Sequence, residues 1–328
     1  MNYPGVKIIM KRLFAGVTAL ISSLATWSQS IDSSYPIKIG GINQWVNVKG
    51  KNIDKPLLLW LHGGPGGSVM INADRFTKKL QDSFVVVQWD QRETGKTLSL
   101  NKSNRPLTFR LFEEDTHDII DSLLTQFHQQ KIYLVGYSWG TALGFYIADI
   151  YPGLLYAYVA ISPMINQLES ERATLKMLKE NAIKKSRNKA VRELSGVNIP
   201  FENGEQLYYD RKWLFAFNGQ KLLKITFRKK LVLPWASTWL TVFNEASAVN
   251  LFETAPEIKC PVYFFAGKKD YQTRFTITED YYNKITAPQK QLFWFEQSGH
   301  TIPDTEPALM QDIIINKILP ATYFSSSQ

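Results

Sequence analysis

The chain of 328 residues is 45% hydrophobic and 13% aromatic and carries a formal net charge of +9. Its length suits one large α/β domain or two ordinary ones, and its apolar share excludes disorder except at the two ends. The single cysteine, Cys260, leaves no internal disulfide. With four scattered histidines it gives no metal-ligand spacing of a known kind, so neither a metal nor another cofactor is expected.

In chain order, the first thirty residues differ from the rest. Lys7, Lys11 and Arg12 precede a short apolar run over residues 13–25, and a small-residue zone follows. This pattern reads as a secretory signal peptide over residues 1–30 and predicts export to a periplasm or the medium. The run is short for a membrane span. An uncleaved anchor or an amphipathic helix is the alternative, and it is the only membrane contact foreseen. Met10 offers a second translation start, and no cysteine nearby supports a lipid anchor.

Residues 35–49 read as two short strands around Gly40 and Gly41. Residues 56–61 (PLLLWL) form a continuous apolar run, the kind buried on both faces of a parallel sheet. The run ends in His62-Gly63-Gly64-Pro65-Gly66-Gly67. A second such run, residues 84–89, ends in Asp90-Gln91-Arg92. Residues 113–126 have helical spacing, with Ile119, Ile120, Leu123 and Leu124 on one face. Residues 131–135 predict a strand, residues 141–150 a helix, and between them stands Gly136-Tyr137-Ser138-Trp139-Gly140. After a strand over residues 155–161 the rhythm changes. Residues 165–250 read as helical, with fifteen Lys or Arg against eight Asp or Glu. Solvated helical faces account for such a charge run, and no nucleic-acid motif accompanies it. Strands return at residues 261–266 and 291–295, and a helix over residues 306–318 precedes a Ser-rich flexible tail at 323–328.

Alternating strands and helices imply a mostly parallel sheet with helices on both faces. The core then comprises residues 31–164 and 251–322, and residues 165–250 form an inserted helical cap. The G-x-S-x-G segment at a strand-to-helix junction places Ser138 on a tight turn with its hydroxyl exposed. A serine needs a base to take its proton, and a carboxylate to orient that base. His117 and His128 lie in or at the end of a helix, and His62 opens a glycine-rich loop expected to be structural. His300 follows the last strand and reaches the carboxyl edge where Ser138 also lies, so it is the expected base. Asp270 follows the preceding strand, between serine and histidine in chain order, and is the expected acid. The backbone amides of Trp139 and Gly64 are the expected oxyanion donors. Cys260 is expected to be a buried small hydrophobe.

Together the HGGPGG loop, the Asp90–Thr97 segment (DQRETGKT), the Ser138 turn, the Asp270 loop and Ser298-Gly299-His300 resemble one known group. The chain is similar to α/β-hydrolases of the proline iminopeptidase group, the prolyl aminopeptidases. The resemblance covers about residues 35–319. It implies the α/β-hydrolase fold, Ser138 as nucleophile with Asp270 and His300 as partners, and a helical cap over the site. Glu93 and Thr97 depart from the group's usual Asp-Gln-Arg-Gly-x-Gly-x-Ser. The Trp-x-x-Trp-Glu segment, whose glutamate holds a substrate amine in that group, is absent from the cap; Glu202, Glu205 and Glu245 are its candidate substitutes.

The expected activity is therefore a serine hydrolase working through an acyl-enzyme on a small-molecule or short-peptide substrate. An aminopeptidase or small-peptide hydrolase is placed ahead of a carboxylesterase, lactonase or amidase. Dehalogenase chemistry needs Asp where Ser138 stands. A non-catalytic ligand-binding protein of the same fold is the rival from another class.

Overall fold

A computed structural model describes residues 29–219 and 227–323. The expected signal segment (1–30) and the expected tail (323–328) lie mostly outside the described residues.

Eight strands form one sheet: β1 (Ile31–Ile39), β2 (Ile42–Gly50), β3 (Leu57–Leu61), β4 (Val85–Asp90), β5 (Ile132–Tyr137), β6 (Leu155–Ile161), β7 (Val262–Gly267) and β8 (Lys290–Phe295). Their spatial order is β1-β2-β4-β3-β5-β6-β7-β8. The first hairpin pairs antiparallel within itself and with β4, and every other pairing is parallel. Strand β3, wholly apolar, and β4, apolar but for Gln88 and Asp90, are buried at every residue. Edge strand β1 keeps its polar residues toward solvent.

Period-two alternation divides the core into two. Leu57, Leu59, Leu61, Ile132 and Leu134 pack on one face, and Leu58, Trp60, Tyr133 and Val135 pack on the other. Short helices α1 (Asp74–Thr77) and α2 (Gly95–Leu100) flank β4 in sequence, and α3 (Phe109–Gln126) and α4 (Trp139–Ile150) flank β5. Helix α3 begins four residues before the expected start. The Thr108 side chain caps it by accepting from the Leu111 amide.

Among the described residues, four helices make up the insertion after β6: α5 (Gln167–Lys184), α6 (Asn188–Ser195), α7 (Gly204–Phe217) and α8 (Lys229–Ser247). Asn166 and Asn250 pair at the base of this insertion, where the Leu251 amide donates to the Ile165 carbonyl at 2.9 Å. After it come α9 (Leu251–Thr254), β7, α10 (Phe275–Lys284), β8, α11 (Ile302–Thr305) and α12 (Pro307–Ile313). The last helix continues past its expected end, through a π-helical turn at Ile314–Ile318 into α13 (Leu319–Thr322). Pro320 lacks an amide hydrogen and crowds the carbonyl four residues back, and a widened turn accommodates it. Among the described residues no helix is long and apolar enough to cross a membrane.

Candidate active site

Ser138 is the hinge between β5 and α4, with φ 52° and ψ −118°. Two glycines make that turn sterically feasible. A Cβ on Gly136 meets the Gly140 carbonyl oxygen at 2.7 Å, and one on Gly140 meets the Leu61 carbonyl oxygen at 2.2 Å. The G-x-S-x-G spacing therefore lets α4 start directly against β3 and β5.

The loops after β7 and β8 bring the other two expected residues to the same place. The Ser138 hydroxyl lies 2.9 Å from His300 Nε2, and His300 Nδ1 lies 3.0 Å from Asp270 Oδ2. Asp270 is buried and further held by three donors: the Gln272 amide (2.9 Å), the Thr273 amide (3.0 Å) and the Thr273 hydroxyl (2.8 Å). Burial alone raises a carboxyl pKa. Here the opposite charge of His300 and these hydrogen bonds outweigh burial and hold Asp270 below the usual carboxylate range. An ionised Asp270 keeps the imidazole proton on Nδ1 and leaves Nε2 to accept from Ser138. Ser162 fixes the histidine backbone by donating to the His300 carbonyl at 2.9 Å. Sequence reasoning overlooked Thr273 and Ser162. Thr273 carried a signal, because a threonine three residues after an aspartate is a common local hydrogen-bonding pair.

The two expected oxyanion donors flank Ser138. Trp139 follows it directly. A Cβ on Gly63, next to Gly64, stands 3.4 Å from the Ser138 Cβ. Neither the Gly64 nor the Trp139 amide donates a hydrogen bond among the described residues. Both are therefore available to an oxygen bearing negative charge.

The other histidines sit elsewhere. His117 is near Asp121 on α3, stacked on Tyr151, and His128 is exposed at the end of that helix. His62 is fully buried beneath the glycine-rich loop. Cys260 is buried, and its thiol is pushed up to about 12 by burial, which suppresses thiolate chemistry. No cluster of three His, Cys, Asp or Glu side chains is placed to hold a metal among the described residues.

Both departures in the second motif have local explanations. Thr97 keeps a hydroxyl that donates to the Asp90 carbonyl (2.5 Å) and accepts from the Trp45 amide (2.8 Å). Glu93 adopts φ 52°, a conformation natural to glycine, and its carboxylate accepts from the Ser103 amide. Arg92 is buried in a two-pronged pair with Asp115, at 2.6 and 2.9 Å, and also donates to the Gly40 carbonyl.

A cavity of about 330 Å³ lies between Gly64 of the core and the cap residues Phe215, Phe227, Trp235 and Arg211, with Gln272 at its side. Its lining is mostly apolar. Roomier hollows open beside Tyr35 and beside Trp45; no triad residue lines any of the three, and the 330 Å³ cavity is set apart by Gly64, whose neighbour Gly63 approaches Ser138. None of Glu202, Glu205 and Glu245 lines the cavity. Glu205 pairs with Lys229, Glu202 accepts from Asn198 and Gln206, and Glu245 accepts from the Phe109 amide at 2.6 Å. The buried acids near the cavity are instead Glu171 and Asp210, and both bond Arg211. Asp210 Oδ2 has no partner. Burial pushes the Asp210 carboxyl up to about 7 against the pull of Arg211.

Similarity to known proteins agrees with this architecture. Residues 54–308 match the family described as Serine aminopeptidase, S33. The chain is 29% identical over 309 residues to the probable aminopeptidase YbaC of Bacillus subtilis (strain 168), covering 87% of this chain and 96% of that one. Its fold matches the proline iminopeptidase of Mycobacterium smegmatis with a TM-score of 0.62 at 17% identity, over 89% of this chain and 100% of that one. It matches a thermophilic esterase of Thermogutta terrifontis with a TM-score of 0.59 at 17% identity, over 90% and 100%. The family match spans most of the chain, so this protein is an α/β-hydrolase enzyme that belongs to the serine aminopeptidase S33 family.

Proposed function

We propose that the protein cleaves small peptides or aminoacyl derivatives that carry a free amine and an apolar residue, through an acyl-enzyme on Ser138. The observation carrying this reading is the continuous hydrogen-bonded line Ser138–His300–Asp270 beside the Gly63–Gly64 loop, whose Gly64 lines an apolar cavity. Ser138 Oγ attacks the carbonyl carbon as His300 Nε2 takes its proton. The carbonyl oxygen becomes an oxyanion held by the Gly64 and Trp139 amides. Collapse breaks the scissile bond, and His300 returns the proton to the leaving nitrogen. Water then repeats the sequence on the ester, with His300 as its base, and releases the acid and Ser138.

Support for a free-amine substrate comes from charge. Two buried acids meet one guanidinium beside the cavity, and burial raises Asp210, so an arriving ammonium group would favour ionised Asp210 and complete the balance. An ester substrate is the second reading. It is favoured by the apolar cavity wall and by the direct pairing of Glu171 with Arg211. A panel of prolyl and alanyl arylamides with free and blocked amines, run beside p-nitrophenyl esters with Ser138→Ala as blank, separates them. Preference for free-amine arylamides is the expected result, and preference for esters overturns it. Labelling by a fluorophosphonate in the wild type but not in Ser138→Ala is expected of an enzyme; no labelling favours a ligand-binding protein.

Export after removal of a signal peptide is proposed from the composition of residues 1–30. A mass of the secreted protein that retains Met1 contradicts it.

A further inference from the structure

We infer that His62 and Gln91 are positioning residues that aim the oxyanion donors, by bracing the Gly63–Gly64 peptide on one side and Trp139 on the other. The inference rests on the hydrolase reading above and adds two residues to it.

In a trans peptide the carbonyl of one residue and the amide hydrogen of the next point in opposite directions. The Gly63–Gly64 peptide is trans, and Gly64 lines the cavity. Whatever holds the Gly63 carbonyl inward therefore turns the Gly64 N–H outward, toward Ser138. The group that holds it is His62, whose Nδ1 lies 2.8 Å from the Gly63 carbonyl oxygen. Two adjacent glycines impose little conformational preference of their own, so this peptide flips readily unless something outside it selects one orientation.

The ring is suited to that task. It is fully buried, and burial lowers its pKa, which favours the neutral imidazole. A neutral ring donating from Nδ1 must accept at Nε2. The Gln91 amide donates there at 3.4 Å. The Gln91 side chain continues the line, because its Oε1 accepts from the Trp139 indole at 3.1 Å. One connected path thus runs from the Gly63 carbonyl through His62 and Gln91 to the side chain of Trp139. Its two ends are the residues bearing the expected donors, which come from separate loops and whose spacing nothing local in sequence fixes.

A thiono-ester substrate tests the idea, since sulfur carries the developing charge with weaker hydrogen bonds than oxygen does. His62→Leu is expected to lower kcat on an oxygen ester about 10²–10³-fold, as loss of one oxyanion donor does. KM should stay nearly constant and the thiono-ester should lose much less. His62→Asn, which keeps a donor near the Gly63 carbonyl, should recover part of the loss. Gln91→Met leaves the backbone donor in place but removes the indole acceptor, and it decides the matter if His62→Leu fails to fold. It should narrow the oxygen-to-thiono rate ratio by a few-fold. Equal losses on both esters, or an unchanged ratio in both variants, overturn the inference. Absence of ester and amide turnover in the wild type instead overturns the hydrolase reading.

Discussion

Arg92 in the core and Arg211 in the cap are both buried arginines bonded to buried carboxylates, yet their surroundings differ. Arg92 meets one acid, Asp115, through two parallel bonds. Its remaining donors reach the Gly40 carbonyl and Ser103, and Asp115 also accepts from Gln44 at 2.7 Å. Charge is matched one to one, and the β1–β2 turn, β2, the segment after β4 and α3 are tied together. Arg211 meets two acids, and one oxygen of Asp210 is left without a partner. A balanced pair serves to hold elements in place. An acid in excess beside an apolar cavity is held toward its protonated form, so the cap cluster, unlike the core pair, can change charge when a cation arrives.

Three variants sharpen or break this comparison. The largest effect belongs to the core site. Asp270→Asn keeps the shape but favours the wrong imidazole tautomer, and kcat is expected to fall on the order of 10⁴-fold. Pre-steady-state acylation measures the loss; a fall below about tenfold means another group orients His300. Next is Arg92→Ala, which strands Asp115 in the interior and is expected to cost about 3–5 kcal/mol in a urea titration. A cost under about 1 kcal/mol, the value of an exposed pair, dissolves the contrast between the two arginines.

Asp210→Asn gives the smallest and most diagnostic effect. The folded protein holds the Asp210 proton up to about pH 7, whereas an unfolded aspartate releases it near its ordinary value of 3.8. The contribution of Asp210 is thus fully present below that ordinary value and is lost as pH rises toward 7. The stability of wild type relative to Asp210→Asn should decline across that window, by at most about 1.4 kcal/mol per pH unit. Melting curves of both proteins at pH 4, 6 and 8 read it directly. A difference that stays constant, or grows with pH in favour of wild type, identifies Asp210 as an ordinary ionised salt-bridge partner.

Much of the core was legible because its signals are local. Strands β3, β4, β7 and β8 are short apolar runs, and the structure places each within one residue of its expected start. Ser138, Asp270 and His300 each follow a strand directly, so knowing that the strands are parallel is enough to bring them to one edge. The cap gave no comparable signal. Glu171 lies on α5, Asp210 and Arg211 on α7, forty residues apart, and their meeting depends on how two helices pack. The resemblance could therefore offer only Glu202, Glu205 and Glu245 as candidates, and they face other partners. His62 was assigned to structure because its bond to the next residue's carbonyl is invisible until the loop has a shape.

The cap also touches the loop that His62 braces from below. The Trp235 indole on α8 donates to the Pro65 carbonyl at 2.8 Å, and Trp239 packs so closely on Gly66 that a Cβ there falls 2.5 Å from its indole nitrogen. Lifting α8 to admit a substrate must therefore also release the upper support of the Gly63–Gly67 loop. Access and competence become alternating conditions of one assembly. On the proposed reaction, an unlatched cap would leave Ser138 with a slackened anion cradle, so the chain would react least when it is most open.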